Sequence, residues 1–302
     1  MTTLNTPIAA ITAISTEAAP RRPHWIKRCR QNSILIGGGI LLLMTLVALC
    51  APLLSSYDPT LQNLDARYSL PFWMEGTDPA HLLGTDHLGR DYLSRLIYGA
   101  RISLGIGFSV VLVAALIGTS LGLLAGYFGG KVDMLISFLI TTRLSLPIVL
   151  VALAAVALRG ASLTTLVTVL GLLVWDQFAI VARSGTLAIR HQEYIRAARA
   201  TGASHLRIML REILPNLRST LIVIATLEMA NVILLESALS FLGLGVRPPT
   251  PSWGLMIAEG RDSILFDAWL IALPGGMLCL LVLAVNLFGD GLRDLTGTEV
   301  KR

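Results

Sequence analysis

Six apolar runs limit what this chain can become. They cover residues 34–54, 103–127, 133–157, 161–181, 217–242 and 268–289, each close to the ~20 residues that a helix needs to cross about 30 Å of hydrocarbon. A chain solvated mainly by lipid must satisfy its backbone polar groups within helices or a closed barrel, and runs of this length specify helices. The composition agrees, with 54% hydrophobic and only 14% charged residues, where soluble chains carry about 25% charged. An all-α membrane protein with six transmembrane helices is therefore expected. Cys29, Cys50 and Cys279 form no CxxC pair, so neither a disulfide framework nor a thiolate metal site is indicated. The net charge is +5, but the basic residues lie between apolar runs, which points to topology rather than to a nucleic-acid partner.

Arg21, Arg22, Lys27, Arg28 and Arg30 precede the first run, and Cys50 follows it in the manner of a lipoprotein signal. The run nevertheless exceeds the ~7–15 residues of a signal h-region. Leu49 also replaces the small residue that would precede a lipidated cysteine. The segment is expected to stay as a membrane helix. With the amino terminus inside, 16 basic residues fall on the cytoplasmic side and seven outside. That bias places both termini in the cytoplasm. Four regions follow: a tail over 1–33, unstructured to about Pro23; the first helix and an external segment over 34–102; the membrane core over 103–290, with a cytoplasmic loop at 183–216; and a tail over 291–302. In the external segment, Leu93, Leu96, Ile97 and Ala100 recur at helical spacing, predicting a short amphipathic helix on the membrane or the bundle.

The cytoplasmic loop contains EYIRAARATGASHLRIMLREILPN. Gly202 punctuates it, and Ser204 is placed to cap a second short helix that Pro215 should limit. Within that helix Leu206, Met209, Leu210 and Ile213 form one apolar stripe that needs a cover of lipid or protein. Small residues at Ala197, Ala198 and Gly202, followed by Leu214-Pro215, resemble the EAA loop of permease subunits in binding-protein-dependent ABC importers. Arg196 stands where that loop's glutamate is expected, and Glu212 at its usual isoleucine position.

The resemblance continues in HLLGTDHLGRDYLSRLIYGARISL (81–104), LESALSFLGLGVRPPTPSWGLMI (235–257) and NLFGDGLRD (286–294). These are similar to the oligopeptide, dipeptide and nickel permease branch, and to the subunit there that carries an extra amino-terminal helix. It implies a type-1 ABC importer permease in a bacterial inner membrane, forming half of a path for peptides, with a nickel chelate or glutathione as the alternatives. The implied partners are a second homologous permease, two cytoplasmic ATPases and an external solute-binding protein. In such a complex Ala197, Ala198, Gly202, Leu214 and Pro215 would couple to the ATPase.

No enzyme chemistry is legible within the chain itself. A P-loop requires GxxxxGK[ST], and Gly130-Lys131 lacks both the upstream glycine and the following hydroxyl. No cofactor is implied, and the histidines at 24, 81, 87, 191 and 205 include no helical metal-binding pair. Asp86 and Asp91 are expected to cap turns and a short helix around Gly89. Gly118, Gly122 and Gly126 form a small-xxx-small stripe for close helix packing or for sliding contact between transport states. Pro274-Gly275-Gly276 predicts a kink.

Charged groups inside apolar runs weigh more, because each costs ~2.5–3.5 kcal/mol on insertion scales. Arg143 requires a buried partner or a later membrane boundary, while Asp176 falls near a run's end, where snorkelling is easier. Glu228, Asn231 and Glu236 fit one polar seam of the fifth helix and are candidates for the translocation path. An ion-coupled secondary transporter could use the same carboxylates, but the inverted repeats of that class are not found. An intramembrane hydrolase would need a base, and no histidine lies in any run.

Overall fold

The computed structural model describes residues 24–296, with side chains from 33 to 295. Its helices are α1 (His24–Leu49), α2 (Ala51–Leu54), α3 (Tyr92–Phe128), α4 (Gly130–Leu144), α5 (Ile148–Arg159), α6 (Leu163–Leu173) and α7 (Asp176–Ile189). They continue as α8 (Glu193–Ala200), α9 (His205–Arg207), a π-helical turn over Ile208–Ile213, α10 (Leu214–Phe241), α11 (Trp253–Gly260) and α12 (Trp269–Thr296). The only β pairing among the described residues is an isolated bridge between Thr85 and Asp91.

Four helical units are long and apolar enough to cross a membrane: α3, α6 with α7, α9 through α10, and α12. The third of the six expected spans is broken in its middle, since α4 and α5 meet at 84°. The cause is Ser145-Leu146-Pro147. Proline offers no N–H and disfavours helical geometry in the residue before it. The amides of Ser145 and Leu146 turn back onto Thr141 O and Arg143 O, and those of Leu150 and Val151 start a new helix on Pro147 O. Counting the bent pair as one span gives five, beside the shorter apolar helix Ser33–Leu49.

The glycine stripe explains the centre of the bundle. A Cβ at Gly118 would lie 2.1 Å from Trp175 O, one at Gly122 2.5 Å from Ala179 O, and one at Gly126 2.6 Å from Thr186 Cβ. All three glycines therefore pack α3 against α7 within the subunit. The α1–α12 pair meets as closely, with Gly37 against the Phe288 amide and Gly291 against Ile34. Trp253 is fully buried and donates from Nε1 to Leu96 O at 2.9 Å, fixing α11 on α3. Leu42, Leu43, Phe108 and Leu116 remain exposed, as lipid-facing positions require.

Three further expectations change. Residues 93–100 are not a separate surface helix but the first turns of the 37-residue α3, with Leu96 and Ala100 buried. Asp91 caps that helix by accepting from the Ser94 amide at 2.8 Å. Pro215 does not end the loop's second helix, because α9, the π turn and α10 are continuous. The wider turn sends the Leu214 amide to Met209 O, five residues back, so the backbone reaches Pro215 already off the i−4 ladder that a proline ring would obstruct. Pro274, where a kink is expected, lies inside the continuous α12. Residues 24–33, assigned from sequence to the tail, are helical within α1; the tail to Pro23 and the last residues after Thr296 lie outside the described part.

Candidate translocation site and coupling loop

The α4–α5 break, the α6–α7 junction and the middle of α10 enclose a pocket of about 280 Å³. Its polar lining is Arg143, Asp176, Gln177, Glu228 and Asn231, and its apolar lining includes Ile148, Val174 and Val232. Of the two alternatives open for Arg143, the structure supplies a buried partner. Its Nη1 donates to Asp176 Oδ2 at 3.1 Å, and its Nε donates to Leu173 O. Leu173 closes α6, so this guanidinium ties the end of α4 to both sides of the α6–α7 junction.

Asp176 does not snorkel to an interface: it is 1% exposed, and its position at the start of α7 brings it against Arg143. Its Oδ1 is buried and has no side-chain partner among the described residues, while the amides of Asp176 and Gln177 at the start of α7 face the carboxylate. Glu228 and Asn231 both line the pocket, linked by a long Asn231 Nδ2 to Glu228 Oε1 contact of 3.5 Å. Glu236 departs from the predicted seam. It is 1% exposed and accepts from Ser240 Oγ at 2.7 Å. A Cβ at Gly254 would lie 2.7 Å from Ser237 Cα, so this serine-lined face of α10 is closed by α11 and holds Glu236 away from the pocket.

In the cytoplasmic loop, Gly202 has φ +80° and an open surrounding, so it makes the α8–α9 turn without crowding. The Ser204 side chain accepts from the Arg207 amide, as a cap should. Ala197 and Pro215 are exposed, while Ala198 and Leu214 are half-buried. The predicted apolar stripe divides: Met209 and Ile213 turn inward with Ile195 and Ile208, leaving Leu206 and Leu210 exposed beside Arg207 and Arg211. The π turn causes this rotation, since side chains beyond it no longer keep the spacing of an α-helix. Tyr127 OH meets His205 Nδ1 at 2.9 Å, and Arg199 lies over the Tyr127 ring. Those contacts tie the loop to the end of α3.

At the other end of α3 is an ion cluster that the sequence reading missed. Arg90 and Arg95 are fully buried. Arg90 donates to Asp86 at 2.6 Å and to Glu259 at 3.1 Å, and Arg95 donates to Asp86 and to Glu259 at 2.7 Å. Burial pushes the Asp86 carboxyl up, but Arg95 and Arg90, with the amides of Arg90 and Leu88, outweigh it and hold it below the usual range. The signal was present in the pair GRDYLSR and AEG, which lie more than 160 positions apart. Asp86, His87 and Glu259 bring ligand atoms within 4.8 Å of one another, an arrangement already explained by the two arginines. His81 instead pairs with Asp91 at 2.9 Å.

Broken helices around a charged pocket, with a loop packed at one end of the bundle, define a multi-pass transport subunit. The fold is similar to that of a chain in the inward-facing MetNI methionine ABC transporter, at a TM-score of 0.55 and 19% identity, over 69% of this chain and 97% of that one. Residues 118–302 match the family described as binding-protein-dependent transport system inner membrane component, and residues 23–71 match the N-terminal TM domain of oligopeptide transport permease C. The chain belongs to this family of inner-membrane permeases. It is 39% identical to the dipeptide transport system permease protein DppC of Haemophilus influenzae, covering 94% of this chain and 97% of the relative. Identity is 42% to the di/tripeptide transport system permease protein DppC of Pseudomonas aeruginosa, over 94% and 93%. The glutathione transport system permease protein GsiD of Pectobacterium atrosepticum is 37% identical, over 93% and 92%.

Proposed function

We propose that this permease subunit imports di- and oligopeptides, forming half of the path in a complex with a second permease, two ATPases and an external binding protein. Both termini face the cytoplasm, following the arginine bias. Hydrolysis of ATP belongs to the partner subunits, and the exposed side of the loop around Ala197, Gly202, Leu206 and Leu210 receives their motion. The observation carrying the reading is the pocket beside the α4–α5 break, which offers both signs of charge, from Arg143 and from Asp176 with Glu228. A peptide presents the same two signs at its termini. The names of the dipeptide and di/tripeptide relatives support this cargo class, and glutathione, itself a tripeptide, falls within it.

The test is reconstitution of the whole transporter in proteoliposomes with radiolabelled alanyl-alanine inside a panel of small solutes. ATP-dependent accumulation of the dipeptide is expected. Accumulation of a nickel chelate with none of any peptide would overturn the reading.

A further inference from the structure

Hydrogen-bonding capacity in the α4–α5 pocket is unequal. Arg143 is the only cation in the lining among the described residues, and its Nε and Nη1 are engaged by Leu173 O and Asp176 Oδ2, which leaves Nη2 as its remaining donor group. On the acceptor side, Asp176 Oδ1 has no side-chain donor among the described residues and only the backbone of α7 beside it, and Glu228 receives only the 3.5 Å contact from Asn231. Two carboxylates thus face one guanidinium in a site where an uncompensated charge is costly. We infer that this pocket binds a primary ammonium group of the cargo between Asp176 and Glu228, with Arg143 as the positioning residue that keeps Asp176 turned into it. The inference rests on the peptide-import reading and deepens it.

A primary ammonium suits this lining. It is compact, carries three donors and accepts nothing, so it suits a lining that offers the Asp176 carboxylate, a Glu228 oxygen and the Asn231 amide oxygen. A metal ion is less suited, because the one group of three ligand side chains found among the described residues lies elsewhere, at Asp86, His87 and Glu259. The volume of about 280 Å³ sits near the lower end of small-ligand pockets, about 300 Å³. The site therefore takes the amine end of a small peptide rather than a long folded chain. Arg143 reaches Asp176 from α4, across the break, so the orientation of the carboxylate depends on how α4 and α7 sit.

Equilibrium dialysis on the assembled permease–ATPase complex, without binding protein, tests this with alanyl-alanine, N-acetyl-alanyl-alanine and N-acetyl-alanyl-lysine. Wild type should prefer alanyl-alanine to its acetylated form. In Glu228→Gln and Asp176→Asn, affinity for alanyl-alanine should fall about tenfold, the loss of one charge-assisted hydrogen bond, with affinity for the acetylated dipeptide unchanged. Recovery of binding by the lysine peptide would assign the site to any primary ammonium, and no recovery would assign it to the α-amino group. Arg143→Lys should keep the preference and Arg143→Gln should lose it, at equal yields of assembled complex. Discrimination at the wild-type level in assembled Glu228→Gln complexes overturns the inference while leaving the peptide reading intact. Failure of the wild type to bind any of the peptides would overturn the inference, whereas the peptide reading is decided by the transport assay above.

Discussion

Arg95 is the side chain on which the external face depends. It has no exposed surface and holds both Asp86 and Glu259, so Arg95→Met would leave two carboxylates short of a partner. Breaking a buried pair in this way costs about 3–5 kcal/mol, to be read as a fall in the melting temperature of the detergent-solubilised protein and faster proteolysis of residues 55–91. The acid response has a definite sign. The Asp86 carboxyl is lower in the folded protein than its ordinary value near 3.8, so its contribution is present above that value and fades as pH falls through the lower folded one. Asp86→Asn should flatten this acid limb. Arg143 shows what single residues disclose in a sequence: its need for a partner was legible from a charge inside an apolar run. The identity of Asp176, 33 positions away, depended on a helix junction at Val174 and Trp175 that hydropathy does not mark. Glu228 and Asn231 were legible as neighbours by helical spacing. Glu236 was misplaced because a pocket and a buried serine face look alike until α11 is set beside one of them.

Among the elements, the α3–α7 contact is the least tolerant of change. Gly122→Leu would place its Cβ within 2.6 Å of Ala182 Cβ before the rest of the side chain is considered. Overpacking of this kind costs about 1–3 kcal/mol or more, so reduced yield of inserted, monodisperse protein is expected, with Gly105→Leu, where a Cβ meets nothing within 4 Å, as the tolerant control. Gly202 behaves differently. Its surroundings are open, so Gly202→Asp meets only the strain of a left-handed backbone, about 1–2 kcal/mol. The protein should insert and assemble while peptide-stimulated ATP hydrolysis is lost, and retention of that stimulation would remove Gly202 from the coupling surface. The two prolines teach opposite lessons. Pro147 ends a helix inside an apolar run, where a hydropathy window averages over it, and Pro215 fails to end one because a π turn precedes it. Apolar length records where lipid is, whereas the path of the backbone depends on hydrogen bonds that individual residues permit.

For the molecule as a whole, orientation is the first property to measure. In a cysteine-free background, Glu75→Cys should label from outside and Leu206→Cys only from inside, both positions being exposed; labelling of both from one side would refute the assignment of the termini to the cytoplasm. The 37 residues of α3 give it a length of about 55 Å at 1.5 Å per residue. One end carries the arginine cluster that grips α11, the other touches the loop through Tyr127 and His205, and the glycines between leave no slack against α7. Such a contact cannot slip by fractions of a turn, because the nearest alternative register would drive a larger side chain into the same gap. The α3–α7 pair is accordingly packed without free play, so that a tilt of one end would reappear, reversed in direction about any pivot along its length, at the opposite face of the membrane.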